Sequence, residues 1–383
     1  MKNIIVSAGW GANPEIQERL LRSYSQFFEA LQERLPAGHP DGLAKQAREV
    51  CDIGRGLLEG RVVDRRDLLG ARAHFFMPLE VPRYWLPLGE ILRHLPEGKR
   101  PYSVLEIGGG VGAGVVALGS VMAAQGARLM VEVTSLESDR AAGTVYDISM
   151  EVLRRLTGFP TKVERQVGDV TSLLRKVAGE RFDLVLVSDM ERLFGARDAG
   201  SEGGDVTSVV ERLLRERVKK TGALLVMEGA SKRTSRALSG LLGAMQERGH
   251  GTFAPCATGG RCPYMETREK YCLHSVSVPV TPLAQSVGSR ANLRVHESHF
   301  CYGILTPQGE RYVPAGLEAG EGQFLGRVVS FPDRRPHGFA YDVCTGDGVV
   351  SVLAPRVLDD GSTKGGRLPH GVWVVVERER KRR

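Results

Sequence analysis

Apolar residues recur at three- and four-residue spacing through the first part of the chain, then switch near Ser103 to short unbroken apolar runs. Ile16, Leu20, Tyr24, Phe27, Phe28, Leu31 and Leu35 mark the buried stripe of one amphipathic helix. Its start is signalled by Asn13-Pro14-Glu15, a capping side chain followed by a proline that suits the first helical turn. Leu43, Ala47, Val50 and Leu57 predict a second such helix beyond the break at Pro36 to Pro40, with Cys51 on its apolar side as a packing residue. Arg72, His74, Arg83 and Tyr84 follow in a segment that either docks this helical cap or lines the ligand or RNA face of the next domain.

From Ser103 the runs alternate with helical stretches, the rhythm of a parallel sheet with crossover helices. Ser103 to Ile107, Leu129 to Leu136, Lys162 to Val167, Phe182 to Val187 and Ala223 to Met227 are the candidate strands of a doubly wound sheet. The stretch from Gly249 to Cys272 interrupts this rhythm with Gly, Pro and Cys, and strand character returns at Ser275 to Val280 and His299 to Leu305. Beyond Pro307 no long helical period occurs, and alternating runs such as Val349 to Leu353 and Val372 to Val376 predict a small β domain. The division expected is a helical domain over 1–99, a Rossmann-like α/β domain with a cysteine-bearing insertion over 100–310, and a β-rich domain with a basic tail over 311–383.

A length of 383 residues with 42% hydrophobic and 25% charged content describes ordinary globular chain, enough for two or three cores. The net charge of +7 is moderate, but it is concentrated at the end, in Glu377-Arg378-Glu379-Arg380-Lys381-Arg382-Arg383 with Arg334, Arg335, Lys364 and Arg367 upstream. Such an end either solubilises or contacts phosphate backbones. The apolar start, Ile4-Ile5-Val6, is too short for a signal-peptide core, and the start has neither the Arg excess nor the acid poverty of a mitochondrial presequence. No apolar run approaches the roughly 20 residues that span a bilayer. The chain is therefore expected to be soluble and intracellular, where thiols stay reduced and clustered cysteines bind metal more often than they pair.

Val104-Leu105-Glu106-Ile107-Gly108-Gly109-Gly110-Val111-Gly112 is a strand running into Gly108-x-Gly110-x-Gly112. Glycines there permit a tight turn and let a ligand approach the backbone, and the following helix offers its N-terminus. Glu106 precedes the turn, and Glu137 closes the next strand, where a carboxylate can accept both ribose hydroxyls of NAD or of S-adenosyl-L-methionine. The spacing lacks the third glycine of pyrophosphate binders and resembles the methyltransferase form, as does Gly168-Asp169-Val170, whose Asp169 matches the element that contacts the adenine amine. S-adenosyl-L-methionine is the expected cofactor, with Ser188 at its edge.

The catalytic position is unusual. Methyltransferases that act on exocyclic base nitrogens carry an Asn/Asp-Pro-Pro-aromatic turn after the fourth strand, whereas this chain has Val187-Ser188-Asp189-Met190-Glu191. Asp189 reads as a base or as a solvated loop carboxylate, and no catalytic residue is assigned. Cytosine C5 enzymes use a cysteine nucleophile, and Pro255-Cys256 superficially resembles their motif. A thiolate held by a metal group cannot also attack a base.

Cys256, Cys262, Cys272, Cys301 and Cys344 populate the back half. Zinc sites are usually built on Cys-x2-4-Cys pairs, and no such pair occurs here. Wider spacing suits an iron-sulfur cubane, whose corners are spread, and the Cys-x3-Cys-x2-Cys of radical enzymes is missing. His274 could replace one thiolate in a zinc reading, and Cys301 competes with Cys344 for a fourth place.

Ala254-Pro255-Cys256-x5-Cys262-Pro263, Cys272-Leu273-His274, Arg334-Arg335-Pro336-His337 and Asp342-Val343-Cys344, together with Tyr84-Trp85-Leu86, the glycine loop and Glu228-Gly229, resemble the methyltransferase-like small-ribosomal-subunit assembly proteins of mitochondria and their bacterial relatives. The resemblance runs from about Leu68 onward. It implies a class I (Rossmann-like) methyltransferase fold and a [4Fe-4S] cluster on Cys256, Cys262, Cys272 and Cys344, with Cys301 left out. It further implies binding to small-subunit rRNA and ribosomal proteins as a monomeric assembly factor. The runner-up is an active rRNA methyltransferase. The location expected is the cytoplasm, or the mitochondrial matrix for an organellar source.

Overall fold

A computed structural model describes residues 2–8, 13–55, 62–95, 101–127, 130–190, 193–194, 206–257, 261–267, 269–307, 309, 312, 317–321, 323–336, 338–355, 368 and 371–377. Leu57, Glu191, His337, Lys364, Arg367 and the basic tail at 378–383 lie outside the described residues. Strand β1 (Lys2–Ala8) precedes helices α1 (Pro14–Arg34) and α2 (Pro40–Gly54). Asn13 accepts from the Glu15 and Ile16 amides and Pro14 fills the first turn, so α1 begins where its capping signal lies. A run of short turns follows: α3 (Leu69–Ala71), a π-helical turn at Arg72–Phe76, α4 (Met77–Glu80), and a 3-10 turn at Val81–Tyr84 that leads into α5 (Trp85–His94).

Strands and helices then alternate as β2 (Tyr102–Ile107), α6 (Ala113–Gln125), β3 (Val131–Glu137), α7 (Gly143–Thr157), β4 (Lys162–Val167), α8 (Val170–Lys176), β5 (Phe182–Ser188), α9 (Val206–Arg217), β6 (Val218–Gly229) and α10 (Lys232–Glu247). Next come β7 (Thr252–Ala254), β8 (His274–Ser277), α11 (Pro282–Ala291) and β9 (Glu297–Leu305). The sheet order is β4-β3-β2-β5-β6-β9-β7, with β8 also paired to β9. β2 to β6 are parallel to their neighbours, and β9 runs antiparallel to β6 and β7. Numbered from β2 along this path, the order is 3-2-1-4-5-7-6, the arrangement of class I methyltransferases, as expected. Helix α6 is apolar on nearly all sides and buried except at Ala123 and Gln125 near its end, because α1 covers the face that the sheet leaves open. The stripe on α1, from Leu20 to Leu31, joins the same core.

The remaining strands are β10 (Gln323–Val328), β11 (Asp333–Arg335), β12 (Gly338–Thr345), β13 (Gly348–Pro355) and β14 (Trp373–Glu377). β10, β14, β1, β13 and β12 pair in that order, and β10 pairs back to β12, which closes a ring. β1 is parallel to β13, and every other neighbour in the ring is antiparallel. This is the connectivity of a five-stranded OB-type barrel whose last strand comes from the start of the chain. Residues 2–8, expected with the helical region, therefore pair in the C-terminal barrel. A seven-residue segment whose partner strands lie at the opposite end of the chain has no local signal to reveal this.

Alternation along the barrel strands divides their side chains between two environments. Val328, Tyr341, Val343, Val374 and Val376 fill the barrel. Trp373, Val375 and Cys344 face the other way and pack against the large core around the methyltransferase sheet. No helix among the described residues is long and apolar enough to cross a membrane.

Candidate cofactor groove and thiol-lined cavity

The glycine loop joins β2 to α6, and Gly108, Gly110 and Gly112 adopt φ of 75°, 55° and 96°. These left-handed values disfavour any side chain, so the turn itself demands the glycines. Gly109, not singled out by the motif, is constrained differently: a Cβ there would overlap the Glu106 carboxylate. Above the loop lies a groove of about 320 Å³. Gly108, Gly110 and Ser188 line it, along with Asp189, Glu228 and Gly229 at the ends of β5 and β6.

The predicted acids lie elsewhere. Glu137 is buried and accepts from the Gly110 amide at 2.6 Å and the Asp139 amide at 2.8 Å, so its oxygens hold the loop in shape. Glu106 is buried below the loop, where it accepts from Tyr146 Oη at 2.9 Å and Ser135 Oγ at 3.1 Å. Burial pushes its carboxyl up to about 7, against the pull of those two donors. Gly112 packs toward Met150 and Tyr146, and Asp169 caps α8 by accepting from the Ser172 amide at 2.8 Å. Glu106, Gly112, Glu137 and Asp169 are thus not among the groove-lining residues.

The helical segment supplies the opposite wall. Arg72 and Phe76 from the π-helical turn, with Arg83 and Tyr84, face the groove, whereas His74 is buried. π-Helical turns often occur at functional sites, and the irregular spacing around Arg72 was the available sequence signal. Arg72 pairs with Asp139, whose carboxyl also accepts from the Asp64 amide at 3.0 Å. Burial raises the Asp139 carboxyl, but the Arg72 guanidinium and the backbone donors outweigh it and hold the group below its ordinary value. Tyr84 Oη and Ser188 Oγ lie 2.7 Å apart across the mouth. Asp189 has φ of 53°, a left-handed conformation that Asp tolerates better than most residues.

The cysteines converge at the contact between the methyltransferase sheet and the barrel. Cys256, Cys262, Cys272 and Cys344 line one cavity of about 30 Å³, together with Cys301 and His274. None of these cysteines is in a disulfide. Among the described residues, no group of three or more His, Cys, Asp or Glu side chains is arranged to hold a metal ion. The donor chemistry nonetheless fits a sulfur-ligated metal group, because four thiols from three separate segments face one space without a lining carboxylate. Burial pushes the Cys272 thiol well above its usual range, and the neighbouring thiols act in the same direction. Cys301 is buried on β9 with its Sγ 4.0 Å and 3.9 Å from the Glu228 and Gly229 carbonyls, and burial pushes it up to about 11.

Polar contacts brace this cavity. Arg236 on α10 donates to the Tyr264, Met265 and Thr267 carbonyls, fixing the turn after Cys262. Asp342, two residues before Cys344, accepts from Tyr264 Oη at 3.0 Å and Lys270 Nζ at 2.6 Å. His274 is buried beside the Phe300 and Tyr302 rings, and its neighbour Cys272 is thereby held at the start of β8.

Strand order and glycine loop define a methyltransferase-type protein, extended by a barrel and a thiol-lined seam. The chain belongs to the family described as mitochondrial small ribosomal subunit Rsm22, whose model matches residues 87–354. A comparison with curated proteins gives no significant match. Among solved structures, it is similar to a SAM-dependent methyltransferase from Agrobacterium tumefaciens (15% identity, 60% of this chain and 62% of that one, TM-score 0.33). It is also similar to a precorrin-6y C5,15-methyltransferase from Geobacter metallireducens (10%, 57% and 83%, 0.33) and to the DszA carbon methyltransferase (15%, 74% and 70%, 0.37). The fold assignment stands on the strand order, to which these distant likenesses add nothing further.

Proposed function

We propose that the protein is an assembly factor of the small ribosomal subunit that binds rRNA, holds S-adenosyl-L-methionine in the groove, and carries a [4Fe-4S] cluster on Cys256, Cys262, Cys272 and Cys344. The observation that carries this reading is the extent of the family match, because residues 87–354 contain both the glycine loop and all four cysteines. When bound, such a cluster supplies a four-point tether and a one-electron centre. Three of its ligands belong to the segment between β6 and β9 and the fourth to the barrel, so the set would join the two sheets. The protein acts as a monomer when free, in the mitochondrial matrix where the mitochondrial small subunit of the family's description would be assembled, or in the cytoplasm of a host without the organelle.

RNA contact is supported by the loop between β10 and β12, a position that OB-type barrels use for oligonucleotides. Phe331 is 45% exposed there, His299 stands edge-on to it at 5.4 Å, and β11 presents Arg334 and Arg335 at the surface. An aromatic platform flanked by guanidinium groups suits stacked bases on a phosphate chain. Ser298, next to His299, accepts from Arg83 of the groove wall at 2.5 Å, which makes the platform continuous with the groove mouth.

Asp189 supports a second reading, an active rRNA methyltransferase, since its backbone conformation projects it into the groove after Ser188. In that case Asp189 would take a proton from the target group while the loop holds the cofactor. The two readings separate in one experiment: tritiated methyl transfer to small-subunit rRNA from cells lacking the protein, alongside calorimetric binding of S-adenosyl-L-methionine and of the rRNA. The scaffold reading expects both ligands to bind without transfer. Transfer abolished by Asp189→Asn establishes the enzyme, and failure to bind rRNA contradicts both.

A further inference from the structure

Arg327 on β10 is completely buried, which is rare for a charged side chain. Its Nη2 lies 2.9 Å from Glu90 Oε1 and also donates to Tyr302 Oη, so one corner of the guanidinium is satisfied across the seam between barrel and methyltransferase sheet. The guanidinium also stands 5.6 Å from the centroids of the Tyr302 and Trp373 rings. Among the described residues, Nε and Nη1, which carry three of the five N–H donors of an arginine, have no hydrogen-bond partner.

Strand pairing sets Arg327 next to the cavity, although the side chain is not among those that line it. Arg327 is directly opposite Cys344 in the β10–β12 pair, and residues opposite each other in an antiparallel pair project to the same face. Gly371, with φ of 81°, allows a close approach in which a Cβ would stand 3.2 Å from His274 Nδ1 and 3.5 Å from Arg327 Nη2. Apolar packing alone would favour a Met or Leu at this position, and the pair with Glu90 uses only one nitrogen.

We infer that Arg327 is the counter-charge and hydrogen-bond donor of the cysteine-held group, a positioning residue that sets the group's reduction potential while it pins the barrel. This rests on the cluster reading above. Four thiolates and a cluster are anionic, and a buried cation with unpartnered donors stabilises the more negative, reduced state, as hydrogen bonds to cluster sulfurs do.

The test is a dithionite titration with redox mediators on anaerobically isolated full-length protein, comparing wild type with Arg327→Lys. Lysine keeps a positive charge for Glu90 but removes the planar donor fork. The reduction equilibrium is expected to shift at least tenfold toward the oxidised form, which is 59 mV for a one-electron couple. If Arg327→Lys does not fold, the Arg327→Met/Glu90→Gln double variant, which buries no lone charge, provides the same reading. Cluster retained with a reduction equilibrium within twofold of wild type overturns the inference and leaves the cluster standing, because a purely structural arginine would change stability only. A wild type without iron and sulfide overturns the cluster reading and this inference with it.

Discussion

The groove above the glycine loop and the cavity between the sheets differ in how their polar groups are used. Beneath and beside the groove, Glu137 secures the loop amides, Asp139 pairs with the groove-lining Arg72, and Glu106 is enclosed by Tyr146 and Ser135, while Asp189 and Glu228 line the groove itself. Around the cavity, thiols face one another, and on the adjoining strand Arg327 keeps N–H donors without partners among the described residues. The acids of the glycine-loop motif, Glu106 and Glu137, are committed to structure, whereas the thiols meet one another in a cavity.

The strongest way to break that contrast is to remove the seam's charge. Arg327→Met leaves Glu90 buried without its cation and is expected to lower unfolding free energy by roughly 3–5 kcal/mol, most of it recovered when Glu90→Gln is added. Denaturant unfolding of the single and double variants measures this, and a neutral single variant would remove the seam's special status.

Glu106 gives the next largest effect. Its folded value of about 7 stands above the ordinary carboxylate value, so the native state keeps a proton that the unfolded chain releases. Stability should fall as pH rises from about 4.5 to about 7 and level off above, by about 3 kcal/mol at 1.36 kcal/mol per unit. Glu106→Gln should flatten that slope in melts taken at each pH. A slope unchanged in the variant would assign it to another group.

Gly109→Ala sharpens the groove's side, since its Cβ would overlap Glu106. A loss of about 1–3 kcal/mol is expected, together with weaker S-adenosyl-L-methionine binding by calorimetry. Lys270→Ala is the smallest perturbation. Its ammonium is 57% exposed where it meets Asp342, so a cost of about 0.2–1 kcal/mol, shrinking with added salt, is expected in denaturant curves at two ionic strengths.

The same division explains what the sequence disclosed. Five parallel strands, the α1 stripe and the glycine loop depend on neighbours in the chain, and their periodicities mark four of the strands within a residue or two, as with Lys162–Val167, whereas β6 begins at Val218, five residues before the expected Ala223. Lys2–Ala8 escaped because a strand's identity here depends on partners that arrive last. Glu106, Glu137 and Asp169 were placed by motif at a ligand, yet motif spacing fixes a residue's position on a strand end and not where its oxygens point. Arg72 reached the groove through a π-helical turn and Tyr84 through a 3-10 turn, neither of which a simple period describes. Arg327 was invisible for a related reason, since nothing in Gln323-Phe324-Leu325-Gly326-Arg327-Val328 signals that its one cation lies on the buried face.

Four separated cysteines were legible as a group only through their spacing, and their meeting at one cavity depends on the barrel docking through Tyr264, Lys270, Asp342, Glu90 and Arg327. Those contacts also mean that losing the cluster would release one tie among several. In a Cys344→Ser protein, hydrogen exchange in β12 should rise while the barrel stays closed. Retention of full cluster content and rRNA affinity in that variant would refute the tether.

Iron and acid-labile sulfide per chain, measured on anaerobically isolated wild type and on single Cys→Ser variants, test the central assignment most directly. The account predicts about four of each in wild type and in Cys301→Ser, with loss in the variants of Cys256, Cys262, Cys272 and Cys344. A colourless protein holding a single zinc, or a cluster that survives Cys344→Ser but not Cys301→Ser, would contradict it.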